Sequence, residues 1–363
     1  MSHQSYAAPA PAGFISSLEG LRAIAALGVL ATHAAFQTGV DPASTVGSVL
    51  ARFDFFVAVF FALSAFVLWR RRDSNPPGSY YLKRVARIMP AYLLTVVLVL
   101  LFIPTGPWLA NITMTQIYVV DGLMTGLTHL WSLCVEIAFY LVVPLLAVVL
   151  GRFQRGTRIT LILIGAALSL GWAFIPVVED SIANGWPNMQ IWPPAYACWF
   201  AVGMLAAEFE DVKFPRIPSV IWWLLSLLIA WMAGQEWFGP LGLIHPSPGE
   251  FVLRILAGTA FAALIVVPYA LGTPSRLLNS PFMRAMGKWS YSIFLWHLPV
   301  LTIVFPLLGL DLFSGNFLLV FVATTVITVP VAAASYVLVE EPVLQWVRGL
   351  TRKNPSDMDL MRG

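Results

Sequence analysis

The stretch Gly20–Thr38, GLRAIAALGVLATHAAFQT, reads as one membrane-crossing helix carrying two residues that a bilayer tolerates poorly, Arg22 and His33. At about 100° per residue their separation amounts to three turns plus roughly 20°, so both fall on one helical face, roughly 16 Å apart along the axis. An ionisable residue inside an apolar span ordinarily faces the bundle interior or water, which predicts that the pair looks into one interior channel. Taken singly, each has a plainer reading: Arg22 snorkels to the headgroups, and His33 is a satisfied interfacial histidine.

The rest of the chain has the same character. Hydrophobic residues make up 59% of it, charged residues 11%, and the mean hydropathy is +0.80. That composition excludes a soluble domain. The apolar runs are long enough for helices that cross a hydrocarbon core, each needing about 20 residues, and lack the alternation of a barrel strand. The opening MSHQSYAAPAPA has no basic region and no small-residue cleavage site behind the next apolar run, so no removable signal peptide is expected. The net charge of +3 says little about a soluble acidic partner, and no nucleic-acid partner is expected. Cys134 and Cys198 sit in separate apolar stretches without metal-ligand spacing and read as packing residues; no metal site is expected.

Hydropathy gives ten spans, at about 17–38, 48–69, 82–103, 129–150, 159–178, 192–209, 219–237, 251–271, 289–309 and 317–339. With the N-terminus in the cytoplasm, all of the 21 Lys and Arg residues except Arg22, Arg52 and Arg254 fall in inside loops or the C-terminal tail. The positive-inside rule therefore predicts an all-α integral membrane protein, a bundle of about ten transmembrane helices with both termini cytoplasmic. Residues 1–13 are expected to be a disordered tail, 14–345 the membrane domain and 346–363 a polar cytoplasmic tail. The longest outside segment, from Pro104 to Thr128, is expected to hold a short interfacial helix around Met114 to Val120. It also contains the sequon Asn111-Ile112-Thr113, a match frequent by chance.

Several further residues could carry chemistry. Trp69-Arg70-Arg71-Arg72 ends the second span, and Lys83, Arg84 and Arg87 open the third, so one cytoplasmic hairpin is flanked by six positive charges. Arg84 and Arg87 share a helical face, and guanidinium groups suit bidentate recognition of phosphate. The alternative is topology anchoring and attraction to anionic headgroups. The fourth span opens with His129 at its outer mouth and carries Glu136 two turns deeper on nearly the same face. A carboxylate at that depth must find a cation, a donor network or a proton: it is an interhelical tie, or it orients an imidazole or a substrate hydroxyl. His297 lies in mid-membrane before Pro299, with no role assigned from sequence. Arg52 and Asp54, at the outer end of the second span, are expected to pair with each other.

With these residues in hand, the chain resembles acyltransferase family 3 of membrane O-acyltransferases, in its single-domain actinobacterial branch. The resemblance covers nearly the whole chain. It rests on Arg22-x10-His33, on Phe-Phe-x-Leu-Ser at 60–64, and on Arg-x-x-Arg-Ile-x-Pro at 84–90. His-x-Trp-Ser-Leu-x-Val-Glu at 129–136 and Ser-Tyr-Ser-Ile-Phe-Leu-Trp-His-x-Pro at 290–299 complete it. Departures are Ile137, where a second acid usually follows Val-Glu, Ala58 for an aspartate, Ala65 for a glycine, and Glu341 where an arginine often precedes proline. Glu136 is thereby the single candidate carboxylate.

The resemblance implies transfer of an acetyl group from cytoplasmic acetyl-CoA to a hydroxyl of a cell-envelope glycolipid or polysaccharide, for example a trehalose mycolate, in the cytoplasmic membrane. Arg84 and Arg87, with Lys83 and Arg72, would take the CoA phosphates. His33 would act as general base, an imidazole having the pKa nearest working pH. Glu136 or His129 would orient His33 or the acceptor, and Arg22 would steady the pantetheine amides or the thioester oxygen. A route in which His33 itself accepts the acetyl group is equally compatible with these residues. The alternatives are acetylation of a secondary metabolite such as a macrolide, and a transporter or flippase in which Arg22, His33 and Glu136 bind substrate or relay protons.

Overall fold

The computed structural model describes residues 15–72, 77–103, 106–212, 217–241 and 244–352. The expected tail at 1–13 lies outside them, as do residues 353–363 and the basic residues Lys213, Arg216, Lys353 and Arg362. Among the described residues there is no β-strand. Fourteen α-helices follow in order. They are α1 (Ser16–Thr38), α2 (Thr45–Ala51), α3 (Phe56–Arg70), α4 (Pro77–Phe102), α5 (Trp108–Ile112), α6 (Trp131–Leu150) and α7 (Arg155–Ser169). The second half holds α8 (Pro176–Glu179), α9 (Ala197–Glu208), α10 (Ser219–Ala233), α11 (Pro248–Ala270), α12 (Pro281–Leu308), α13 (Phe317–Ser335) and α14 (Glu341–Arg352).

Among the described residues, eight helical segments are long and apolar enough to cross a membrane: Ser16–Thr38, Thr45–Arg70, Gly78–Phe102, Thr128–Leu150, Arg155–Phe174, Pro248–Ala270, Pro281–Leu308 and Phe317–Leu350. The protein is thus an all-α, multi-pass membrane protein. The two remaining hydropathy spans are also helical but shorter, α9 with 12 residues and α10 with 15. α9 is short because Pro193 and Pro194 open a 3-10 turn where a full span would begin. In the 104–128 segment the short helix is α5, upstream of the expected position. Met114 takes a positive φ, and only a 3-10 turn at Gln116–Tyr118 follows. Asn111 is buried there, its amide donating to the carbonyls of Pro107 and Gly122, so the sequon is not open to modification.

Small residues bring the central helices together, as expected where lipid removes the hydrophobic drive between them. A Cβ at Gly203 of α9 would lie 1.9 Å from the Ala62 carbonyl oxygen of α3, and one at Gly287 of α12 would lie 2.2 Å from the Glu19 carbonyl oxygen of α1. α1 and α12 run side by side and parallel: Gly287 meets Glu19 near their starts, and His297 meets His33 further along. Gly39 ends α1 in the left-handed conformation, its N–H capping Ala35 and Phe36. Cys134 and Cys198 are free and buried, as packing residues are. Arg52 and Asp54 approach only to 3.9 Å, and the stronger tie of Arg52 is its 2.7 Å bond to the Ala233 carbonyl ending α10.

Candidate active site

Three imidazoles from three parts of the chain meet inside the bundle. His33 comes from α1, His297 from α12 before its Pro299, and His129 from the 3-10 turn Thr128–Leu130 that opens α6. Ring centroids are 5.1 Å apart for His33 and His297, 4.6 Å for His129 and His297, and 6.3 Å for His33 and His129. His297 is fully buried and His129 nearly so, while His33 keeps partial exposure. His297 Nε2 lies 3.1 Å from His33 Nδ1. Each ring also reaches the carbonyl of its own helix: His33 Nδ1 is 2.9 Å from Val29 O, and His297 Nδ1 is 2.6 Å from Phe294 O. Both His129 nitrogens are buried without a hydrogen-bond partner. Phe294 packs against His129 and His297, and Phe60 of the Phe60–Ser64 motif packs against Phe294.

Below this cluster, toward the end of the bundle where basic residues collect, lies a second polar group. The hydroxyls of Ser64 on α3 and Tyr140 on α6 both donate to Glu136 Oε1, the latter at 2.5 Å, and Tyr140 Oη is 3.2 Å from Ser64 Oγ. Tyr140 and Glu136 meet because they are four apart on one helix. The side chain bonded to His33 is therefore His297, while Glu136 holds Ser64 and Tyr140. The Arg84 guanidinium lies 5.9 Å over the Tyr140 ring, and its Nε is buried with no partner.

Three other basic residues of the hairpin have carboxylate neighbours, and of these Arg70 pairs with Glu210. Arg87 is 3.1 Å from Glu340, a fully buried residue ending the π-helical turn Tyr336–Glu340, which also accepts from Ser292. Arg72 is 3.6 Å from Glu208, which also takes two bonds from Arg158 and one from Trp69. Lys83 is half-buried on α4 beside Arg84. Arg22 is half-buried and 3.5 Å from Glu19 on its own helix. Sequence reading missed the partnership of His297 with His33, the Ser64 and Tyr140 ties, and the counter-ions Glu208 and Glu340. Only the first two had a local signal, the Trp-His-x-Pro run and the four-residue spacing from Glu136.

The site is a polar column with three levels. Tyr140 on α6 and His129 in the turn before it are separated by roughly 16 Å of helix rise between their backbone positions.

A family model described as an acyltransferase domain matches residues 15–337. Among curated proteins, Acyltransferase MdmB of Streptomyces mycarofaciens is 28% identical over 82% of this chain and 82% of its own length. Nodulation protein 10 of Rhizobium leguminosarum bv. viciae is 24% identical over 83% of this chain and 84% of its own. Peptidoglycan O-acetyltransferase OatA of Listeria monocytogenes is 23% identical over 94% of this chain, and the match spans 58% of that longer protein. No solved structure matches.

Proposed function

The chain belongs to this acyltransferase family, and from that premise we propose that it transfers an acetyl group from acetyl-CoA, entering at the basic end of the bundle, to a hydroxyl at the opposite end. The observation that carries the reading is the polar column. The phosphopantetheine arm of CoA is about as long as the roughly 16 Å of helix rise between Tyr140, beside Arg84, and His129. Arg84, whose Nε has no partner, would take a phosphate oxygen, with Lys83 beside it, while Arg87 and Arg72 are held by Glu340 and Glu208. Glu136, Ser64 and Tyr140 would hydrogen-bond the pantetheine amides partway along, and Arg22 would neutralise charge near the entry.

At the far end His33 Nε2 takes the proton of the acceptor hydroxyl as its oxygen attacks the thioester carbonyl. The carbon–sulfur bond breaks, and the CoA thiolate leaves with the proton that the imidazolium returns. His129, buried with both nitrogens unpartnered, would bond the acceptor or the thioester oxygen. The excess of Lys and Arg at the mouth argues that this end is cytoplasmic and the membrane the cytoplasmic one. A sugar hydroxyl of the cell envelope is then the natural acceptor, a reading supported by the relative named as a peptidoglycan O-acetyltransferase.

The test is turnover of radiolabelled acetyl-CoA by the protein in lipid nanodiscs, with CoA binding read in the same samples. Wild type should consume acetyl-CoA, His33→Ala should bind CoA without turnover, and Arg84→Ala should lose affinity. Folded wild type that neither binds nor consumes acetyl-CoA refutes the donor.

A further inference from the structure

We propose that His297 is a positioning residue for His33, its Nε2 lone pair sharing the His33 Nδ1–H with the Val29 carbonyl and leaving His33 Nε2 as the basic nitrogen. The inference rests on His33 being the general base.

Two backbone carbonyls fix the arrangement. A carbonyl oxygen only accepts, so the 2.6 Å contact from His297 Nδ1 to Phe294 O requires a hydrogen on that nitrogen. In a neutral ring the lone pair is then on Nε2, which faces His33 Nδ1 at 3.1 Å. His33 Nδ1 in turn lies 2.9 Å from Val29 O and must carry its own hydrogen. One hydrogen therefore stands between the rings, donated by His33. The opposite tautomer of His297 would set N–H against N–H and a lone pair against the Phe294 oxygen.

The same geometry decides which ring can carry an added proton. When His33 gains one at Nε2, its Nδ1–H keeps both acceptors and the bonds become charge-assisted. Were His297 protonated instead, its Nε2–H would point at the Nδ1–H of His33. His129 lies outside this chain of bonds, its nitrogens having no partner. A neutral imidazole thus fills the place that a carboxylate holds in a Ser-His-Asp triad. In an apolar bundle that choice avoids a buried anion needing a partner of its own.

Two measurements on the full chain in nanodiscs test this. The first needs no substrate: with 15N-labelled histidine, a nitrogen–nitrogen coupling through the hydrogen bond should link His33 Nδ1 to His297 Nε2, with His297 protonated at Nδ1. Absence of that coupling in folded protein, or a His297 protonated only at Nε2, overturns the proposal. The second compares His297→Gln, which keeps an acceptor oxygen near the Nε2 position, with His297→Leu, which keeps apolar volume without an acceptor. With acetyl-CoA as donor and water as acceptor, Leu should lower kcat roughly ten- to a hundredfold at unchanged KM, and Gln by no more than about fivefold. A merely structural role reverses that order, since Leu packs better between apolar helices, and such a result overturns the proposal. If the coupling is present but wild type consumes no acetyl-CoA, the donor reading fails and the positioning of His33 stands.

Discussion

Arg87→Leu separates a structural tie from a phosphate contact. Glu340 is fully buried, and its partners are the Arg87 guanidinium at 3.1 Å and the Ser292 hydroxyl. Removing Arg87 leaves a carboxylate in a buried site with one hydroxyl for company, a loss on the order of 3–5 kcal/mol. That corresponds to a fall in the folded-to-unfolded ratio of roughly a hundred- to several-thousandfold. Adding Glu340→Gln removes the stranded charge and keeps an acceptor for Ser292, so the double variant should return to within about 1 kcal/mol of wild type. The assay is thermal unfolding in nanodiscs, with CoA binding measured on the same samples. The reasoning is refuted if Arg87→Leu is as stable as wild type but loses CoA affinity, or if the double variant is no more stable than the single. Either result would return Arg87 to the phosphate-binding set.

Three other outcomes are expected. Glu208→Leu removes the carboxylate that Arg158 and Arg72 approach and frees the Trp69 indole N–H, so it should destabilise on the order of 3 kcal/mol by the same unfolding assay. Gly203→Ala forces a methyl group onto the Ala62 carbonyl oxygen and should cost about 1–3 kcal/mol, or prevent the α3–α9 contact, read as lower yield of monodisperse protein. Asp211, outside the spans, accepts from Arg155 at 2.7 Å, which holds its carboxyl below the usual range. A depressed value adds stability above the unfolded pKa and loses it as pH falls through the folded one. Asp211→Asn should therefore lower the unfolding midpoint slightly at neutral pH and converge with wild type in acid.

The spans were legible because hydropathy needs only local composition. The shared face of Arg22 and His33 was legible because helical period fixes it, and Glu136 stood out as the lone acid of its span. What joins those helices was not. Arg87 and Glu340 are 253 residues apart, and Glu208 collects Arg158 from α7 and Arg72 from the turn after α3, pairings that no local pattern encodes. Counter-ions therefore look like ordinary charges in sequence, and Arg84 and Arg87, with Lys83 and Arg72, read together as phosphate ligands. The structure distinguishes Arg84, with an unpartnered Nε, from Arg87 and Arg72, each beside a buried carboxylate. The bond of His297 to His33 was hidden likewise, since α1 and α12 touch only through tertiary packing. The site of the short helix before α6 was missed because a positive φ at Met114 interrupts an apolar run that composition alone continues.

The most direct test of the account is a structure of the protein in lipid with a non-hydrolysable acetyl-CoA analogue. The account predicts phosphate density at Arg84, the pantetheine arm passing Glu136, Ser64 and Tyr140, and the acetyl carbonyl beside His33 Nε2. An analogue bound with its acetyl end at the basic mouth, or outside the bundle, would contradict it.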